Sequence, residues 1–246
     1  MIDRSDADGI VTLTLNHGKA AALDVELFEA LQRELAAAED ARAVILTGSG
    51  SIFSAGVDLF RLTGGGAEYI KRFFPLLRDV VRQLFAMPLP VVAAANGHAI
   101  AGGAILVCAA DVRLMASGNG RIGTPELLVG VPFPAAALEV VRFAVHDVQK
   151  FVYSGRTLPP DEALAAGWID EVVAPDALLA RAREAAAQLA AIPRESFRLT
   201  KAQLRAPALE AMRLGDARDA EALAVWSDPA IHQHIREYMA RTVRKG

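Results

Sequence analysis

Apolar and polar residues follow two regular patterns in the first fifty positions. The segment IVTLTLN (10–16) alternates as a β-strand does, and AVILTG (43–48) is typical of a short buried strand. Between them, Asp24 has the side chain of a helix N-cap, and leucines recur at every fourth position after it. The pattern therefore predicts a strand, a helix and a second strand.

The next part of the chain repeats this order. TGGGAEY (63–69) is polar and rich in glycine, which predicts a mobile surface loop before a helix from about 70 to 85. MPLPVVAAANG (87–97) predicts a buried strand, a helix follows around 102–110, and DVRLMA (111–116) predicts another strand. Strand, helix and strand in succession predict a βαβ unit and a mostly parallel sheet.

The C-terminal part of the chain has a different composition. From about Leu178 it is dominated by Ala, Arg, Glu and Leu, and this predicts a helical tail over 178–243, punctuated by Pro193, Pro207 and Pro229.

Composition indicates a soluble globular protein and excludes some classes of partner. Of 246 residues 53% are apolar and 22% charged, and the net charge of −3 comes without a basic stripe that could neutralise phosphates. Nucleic acid is therefore not an expected partner. The uncharged stretch 91–110 is as long as a membrane span, but Asn96, Gly97 and His98 interrupt it, so no membrane partner is expected either.

Cysteine content and the N-terminus indicate the compartment. Cys108 is the single cysteine and lies among apolar neighbours, so no internal disulfide can form. The acidic start MIDRSDADG lacks the basic and apolar regions of a secretory signal. We expect a cytoplasmic location.

One acid stands out in an apolar run. In GTPELLVGVPFP (123–134), Glu126 is the only charged residue between Arg121 and Glu139. Such an acid can be a salt-bridged or helix-capping residue, which is the commoner case. A carboxylate in apolar surroundings has a raised pKa, however, and that suits a general base near neutral pH.

Two glycine-containing turns could present backbone amides to a ligand. In SAGVDL, Asp58 is a plausible N-cap, which leaves the amide of Val57 just outside the helix. In AIAGGAIL, the amides of Gly102 and Gly103 would open another helix at its positive end. Each signal is weak by itself, but two converging amides would form an oxyanion hole.

Together, the blocks FSAGVDL, NGHAIAGGAILVCAADVRL, GTPELLVGVPFP and SGRTLPPDEALAAGWIDEVV resemble the crotonase family, also called the enoyl-CoA hydratase/isomerase superfamily. The order and separation of the blocks match along the whole chain. The resemblance implies an α/β fold, a spiral of ββα turns, with an acyl-CoA-binding core at 1–190. It further implies a C-terminal helical trimerisation region at 191–246 and a homotrimer or homohexamer.

The same resemblance implies roles for individual residues. The amides of Val57 and Gly102 would form the oxyanion hole for an acyl-CoA thioester, and Glu126 would be the catalytic acid/base. Tyr238 and Arg241 in the tail are candidate contacts to the CoA of a neighbouring subunit. No metal and no cofactor are expected, since coenzyme A is part of the substrate. The remaining candidate contacts to substrate or CoA are Lys19, Ala20, Ala22, Ser54, Ala55, Gly56, Asp58, Leu59 and Gly103.

The chain also departs from the family pattern at informative positions. Hydratases of the family use two glutamates; the second matches Glu126, but the first falls on Ile105, which can neither orient water nor move a proton. Ala101 replaces the first glycine of the cluster, and PFPAAAL replaces a glycine-rich turn. A single base suffices to move a double bond from 3-enoyl-CoA to 2-enoyl-CoA, within fatty acid metabolism, so we rank isomerisation above hydration.

Other functions remain open at the level of sequence. The chain could be a 2-enoyl-CoA hydratase, or a non-catalytic relative that binds acyl-CoA without turning it over. A family member with another outcome, such as decarboxylation or dehalogenation, is a further alternative. The length and type of the acyl chain are not determined by these residues.

Overall fold

Strands are divided between two sheets in the computed structural model, which describes residues 1–242. The large sheet has the order β1-β2-β3-β5-β7-β9, in which β1 pairs antiparallel with β2 and the other neighbours are parallel. The small sheet is parallel, with the order β4-β6-β8. The strands are β1 (Ile2–Ala7), β2 (Ile10–Leu15), β3 (Ala43–Gly48), β4 (Ile52–Ser54), β5 (Val91–Ala95), β6 (His98–Ile100), β7 (Val112–Ala116), β8 (Ile122–Gly123) and β9 (Glu171–Val173).

Helices surround the two sheets and fill the C-terminal part of the chain. Among those described within residues 1–242, none is both long and apolar enough to cross a membrane. The helices are α1 (Val25–Ala37), α2 (Leu59–Ala86), α3 (Gly102–Cys108), α4 (Glu126–Val129), α5 (Ala135–Ala144), α6 (Val148–Ser154), α7 (Pro160–Ala165), α8 (Leu178–Ala190), α9 (Arg194–Trp226) and α10 (Pro229–Thr242).

The chain alternates between the two sheets. Three times in succession a strand of the large sheet leads to a strand of the small sheet and then to a helix: β3-β4-α2, β5-β6-α3 and β7-β8-α4. This repeat confirms the predicted spiral of ββα turns and the mostly parallel arrangement.

Both faces of the large sheet are covered, which explains the continuous apolar runs of its inner strands. All residues of β3 and β5 are buried. One face belongs to the main core, and α8 packs on the other, where Ala182 and Ala186 meet Ile45 and Val92. The predicted buried strands are therefore confirmed.

Two aspartates begin helices as the sequence predicts. Asp24 Oδ1 accepts a hydrogen bond of 2.8 Å from the amide of Leu27 at the start of α1. Asp58 Oδ1 accepts one of 2.9 Å from the amide of Arg61 at the start of α2. Each carboxylate satisfies an amide that the helix itself leaves unpaired.

The predicted loop at 63–69 is wrong, because α2 runs through it. Within this stretch only Gly66 leaves the helical conformation, with φ +60° and ψ −157°, so the glycines produce a kink instead of a loop. Leu62 and Ile70 on either side are fully buried. Tertiary packing thus outweighs the weak helix propensity of glycine.

The structure differs from the predicted pattern at both ends of the chain. Strand β1 was not predicted, because its sequence IDRSDA is polar and largely exposed, and backbone pairing to β2 holds it. In the tail, Pro193 and Pro229 stand at helix starts, while Pro207 lies inside α9 without ending it. The last residues of the predicted tail (178–243) and helical region (191–246), residues 243–246, lie outside the described residues.

Candidate functional site

Three residues singled out from the sequence lie just beyond the three strands of the small sheet. Val57 is the third residue after β4, Gly102 the second after β6, and Glu126 the third after β8. Because these strands are parallel neighbours, their carboxyl ends meet at one edge, where α/β proteins place their ligand sites. The structure thus brings the two predicted amides and the predicted acid to the same edge.

The peptide bond between Gly56 and Val57 is held from one side. The amide of Leu23 donates to Gly56 O at 2.8 Å, and the amide of Asp58 donates to Leu23 O at 3.0 Å. Since the C=O and N–H of a trans peptide point in opposite directions, the N–H of Val57 points away from Leu23. Within residues 1–242 this N–H has no hydrogen-bond acceptor.

Gly56 allows this peptide to approach the start of α3. Its φ is +83°, and a methyl group there would lie 2.6 Å from Ile100 O and 3.3 Å from the nitrogen of Gly102. Any larger residue would push the two turns apart. Gly56 therefore keeps the amides of Val57 and Gly102 side by side.

Gly102 opens α3, so its N–H has no partner within the helix. The preceding Ala101 has φ +52° and ψ −123°, a conformation that residues with a side chain rarely adopt. Its amide donates to Gly123 O at 2.8 Å and its carbonyl accepts from Ile105 N at 3.1 Å, which fix it in place. The backbone at Ala101 thus holds the N–H of Gly102 at the edge of the small sheet.

This conformation predicts that Ala101→Gly stabilises the protein. Relief of backbone strain should exceed the added freedom of the unfolded chain, for a net gain of about 1 kcal/mol in the free energy of unfolding. Urea denaturation measures it, with Ala187→Gly on α8 as the control, which we expect to lose about 1 kcal/mol. A loss of stability in Ala101→Gly would show that position 101 carries no such strain.

Glu126 is a buried acid with no ionic partner in the described part of the chain. It is 7% exposed at the start of α4, and its Oε2 has no hydrogen-bond partner there. Burial raises the pKa of Glu126 to about 8, against a small opposing effect of its own amide. The carboxyl is therefore neither a salt bridge nor a cap in residues 1–242, and it can exchange a proton near neutral pH.

Thr124 was not singled out from the sequence. It is fully buried two residues before Glu126, and its Oγ1 also lacks a partner within residues 1–242. A buried polar group without a partner destabilises a protein by about 1–3 kcal/mol, so two such groups only two residues apart in the chain are typical of a place that a ligand completes. Only its closeness to Glu126 in the chain could have indicated it.

The side chain of Ile105 lies in an apolar environment. It is 2% exposed in α3 and belongs to the main apolar core. Among the described residues, no group of three or more His, Cys, Asp or Glu side chains could hold a metal ion. Asp58 at the same edge is engaged in capping α2, which leaves Glu126 as the buried acid with an unpaired oxygen there within residues 1–242.

The other candidate contacts lie around the two turns. Lys19 is exposed and Ala22 half-buried in the loop before α1. The amide of Ala55, which is exposed, donates to Ala20 O at 2.9 Å. Leu59 is the half-buried first residue of α2. These residues place the loop before α1 alongside the loop after β4.

Three further candidates, Ser54, Asp58 and Gly103, make hydrogen bonds or close contacts within the protein. The Ser54 hydroxyl donates to Ala21 O at 2.7 Å and accepts from Gly56 N at 3.1 Å, and Asp58 caps α2. A methyl group on Gly103 would lie 2.7 Å from Ser54 O. Their side-chain and backbone positions hold the shape of the two turns.

Tyr238 and Arg241 lie on the C-terminal helix and not on the two turns. Both are on α10, where Tyr238 is half-buried and Arg241 exposed. This helix packs against α2 and α4, and His234 Nε2 lies 3.2 Å from Leu128 O. Within one chain, the two residues thus lie on a helix that contacts the helix of Glu126.

Comparison with known proteins gives a consistent result. A family model described as enoyl-CoA hydratase/isomerase matches residues 5–245. A probable enoyl-CoA hydratase of Mycobacterium avium is 35% identical over 231 residues, covering 89% of this chain and 88% of that protein. The mitochondrial enoyl-CoA delta isomerase 1 of Rattus norvegicus is 29% identical over 212 residues, covering 83% and 73%. The crystal structure of human mitochondrial delta3-delta2-enoyl-CoA isomerase superimposes with a TM-score of 0.93 at 27% identity, covering 100% of this chain and 99% of that one.

Proposed function

The chain belongs to the enoyl-CoA hydratase/isomerase family, and from this we propose that it shifts the double bond of a 3-enoyl-CoA to give a 2-enoyl-CoA. One observation carries the proposal. Glu126 is a buried carboxyl without an ionic partner in residues 1–242, at the edge where two free amides meet, and Ile105 stands where the family resemblance would place a second acid.

The reaction requires a single proton to move. The carboxylate of Glu126 removes a proton from C2, and the electron pair passes into the thioester, whose oxygen becomes negative. The N–H groups of Val57 and Gly102 donate to this oxygen; one such donor lowers the barrier by about 3–4 kcal/mol in a well-studied protease. Glu126 then returns the proton at C4, and the double bond lies between C2 and C3.

Hydration requires a second polar group, which the site lacks at position 105. Addition of water requires a group that orients the water while another moves the proton. The side chain of Ile105 makes no hydrogen bond and excludes water from its surroundings. The relatives carry both hydratase and isomerase names, so the proposal rests on this residue and on Glu126.

The proposal extends to binding and assembly. An acyl-CoA thioester is the expected substrate, contacted by the loops that carry Lys19 and Ala55, without a separate cofactor. Residues 1–190 would bind it, and the helical region at 191–246 would join subunits into a trimer or a pair of trimers. Sedimentation velocity of the full chain tests the assembly.

A panel of thioesters tests the proposed reaction. The protein is mixed with 3-enoyl-CoA and, separately, 2-enoyl-CoA of several chain lengths, and the absorbance of the conjugated thioester is followed. We expect this absorbance to grow with the first set and to remain unchanged with the second. Loss of absorbance with 2-enoyl-CoA at a comparable rate would identify a hydratase, and no change with either set would identify a binding protein.

The raised pKa of Glu126 predicts the pH dependence of the reaction. Only the ionised carboxylate can accept the C2 proton, so kcat/KM should rise about tenfold per pH unit up to its pKa and level off above it. Burial places this bend near pH 8. Initial rates between pH 6 and 9.5 measure it, and a flat profile over this range would contradict a buried carboxylate base.

A further inference from the structure

A network of charged side chains joins the start of α1 to the start of α2 beside the two amides. At its centre is Asp24, which is 3% exposed. Besides capping α1, its carboxylate accepts from Arg61 Nη1 at 2.8 Å and lies 2.7 Å from His17 Nε2. Arg61 also binds both carboxylate oxygens of Glu26, with Nη2 2.8 Å from Oε1. One arginine thus connects two carboxylates of the first turn of α1.

The network is completed by an aromatic ring. The guanidinium of Arg61 lies 5.4 Å from the centre of the Tyr69 ring, and the Tyr69 hydroxyl accepts from Val25 N at 3.3 Å. Burial alone would raise the pKa of Asp24, but hydrogen bonds from Leu27, His17 and Arg61 outweigh it and hold the pKa below its usual value. Asp24 is therefore ionised and held from several sides.

This network braces the contact that orients the Val57 amide. Asp24 directly follows Leu23, whose N–H and C=O make the two hydrogen bonds on either side of Val57. Arg61 follows Asp58, the residue that donates the second of these bonds, by one helical turn. Leu23 Cδ1 would also lie 2.7 Å from a methyl group on Gly102, so Leu23 touches both amide-bearing turns.

We propose that Arg61 is a positioning residue, which holds Leu23 through Asp24 so that the Val57 N–H is aimed at the thioester oxygen. The inference rests on the proposed use of the Val57 and Gly102 amides. Arg61 has a side chain that is 40% exposed, and partly exposed ion pairs add little to stability. The other partner, Asp24, is buried but keeps its bonds to Leu27 N and His17, so the loss in stability should be moderate and the larger effect should fall on the reaction.

Arg61→Met removes both ion pairs and keeps most of the volume of the side chain. Arg72→Met is the matched control, because Arg72 joins the same two helices through Glu29 at 3.8 Å but lies farther along both of them. Arg61→Lys keeps a charge that can reach one carboxylate but cannot span two. Glu26→Gln weakens the contact of Arg61 with α1 without altering Asp24. This variant replaces Arg61→Met in the test if Arg61→Met proves unstable in a urea titration.

Two readouts separate positioning from binding. The first is kcat and KM with 3-enoyl-CoA. The second is the near-ultraviolet absorbance of the enolate of bound acetoacetyl-CoA, which reports hydrogen bonding to the thioester-side oxygen without any turnover. Arg61→Met should lower kcat about tenfold and the enolate signal similarly, with KM within about twofold. Arg72→Met should match the wild type, and Arg61→Lys should recover part of the loss.

Wild-type kcat and enolate signal in Arg61→Met would overturn the proposal, as would equal losses in Arg72→Met or a change confined to KM. The acetoacetyl-CoA readout also tests the role of Arg61 independently of whether the protein catalyses the proposed double-bond shift. If the wild type forms the bound enolate but does not turn over 3-enoyl-CoA, the proposed reaction fails while the role of Arg61 is still decided.

Discussion

Glu126→Gln should abolish the double-bond shift while leaving the fold and the acyl-CoA site intact. Glutamine has the same shape and can fill the same space, but it cannot accept the C2 proton at any pH between 6 and 9.5. With no second carboxyl at position 105, we expect kcat to fall about 10³- to 10⁴-fold. Stopped or continuous assays with 3-enoyl-CoA measure kcat, and calorimetry with a saturated acyl-CoA should give a Kd within about twofold of the wild type.

A control must separate this loss from a general effect of removing a carboxylate. Glu162→Gln removes an exposed acid that pairs with Arg156 at 3.1 Å. Its side chain is 57% exposed, so its kcat should remain that of the wild type. Residual activity above one tenth of the wild type in Glu126→Gln would mean that another group moves the proton.

Asp111→Ala should have the largest effect on stability. Asp111 follows α3 and holds α9 against the core: its Oδ2 lies 2.7 Å from Lys201 Nζ, and its Oδ1 lies 2.7 Å from Arg205 Nη2. Lys201 and Arg205 are 7% and 4% exposed, and burial lowers the pKa of Lys201 to about 8. Removing the shared anion leaves two buried cations without a counter-charge.

The expected loss in the free energy of unfolding is about 3–5 kcal/mol, the range for breaking a buried ion pair from one side. Both cations keep partners among backbone carbonyls, such as Leu89 O for Lys201 and Ala109 O for Arg205, and these limit the damage. Urea denaturation at pH 7 measures the loss. Glu210→Ala, which breaks an exposed pair with Arg213 on the same helix, should change stability by less than about 1 kcal/mol. Equal losses in the two variants would contradict the role of burial.

A cavity of about 330 Å³ lies beside this cluster, lined in part by Phe143, Phe197 and Leu204. Its charged groups already have partners, whereas the carboxyl of Glu126 and the amides of Val57 and Gly102 do not, within residues 1–242. Unpaired groups that meet at one edge, rather than the volume of empty space, are the reason to propose the chemistry there.

The parts of the site that the sequence predicts are those carried by short local patterns. Asp24 and Asp58 are recognisable as caps because a cap and its helix are contiguous. Val57 stands out because it precedes the cap Asp58, and Gly102 because a pair of glycines opens α3. Glu126 stands out because its neighbours in the chain are apolar. The resemblance to a family then fixes how the spiral brings these local pieces to one edge.

The remaining features depend on contacts between distant residues. Arg61 and Asp24 are 37 residues apart, and Lys201 and Asp111 are 90 apart, so neither pair leaves a sign in the local pattern. The stretch at 63–69 is misleading for the same reason, since packing around Leu62 and Ile70 keeps a glycine-rich segment helical. The conformation of Ala101 is likewise set by its bonds to Gly123 and Ile105 and not by alanine itself.

Transfer of an isotopic label tests most directly whether one carboxyl carries the proton. A 3-enoyl-CoA with deuterium at both C2 positions is converted in ordinary water, and the 2-enoyl-CoA product is analysed by NMR at early times. Because Glu126 is buried, we expect part of the label to reach C4 before the carboxyl exchanges with water, so that a measurable fraction of the product carries deuterium there. Transfer of deuterium to C4 that persists in Glu126→Gln, or 3-hydroxyacyl-CoA as the main product, would contradict a one-carboxylate double-bond shift.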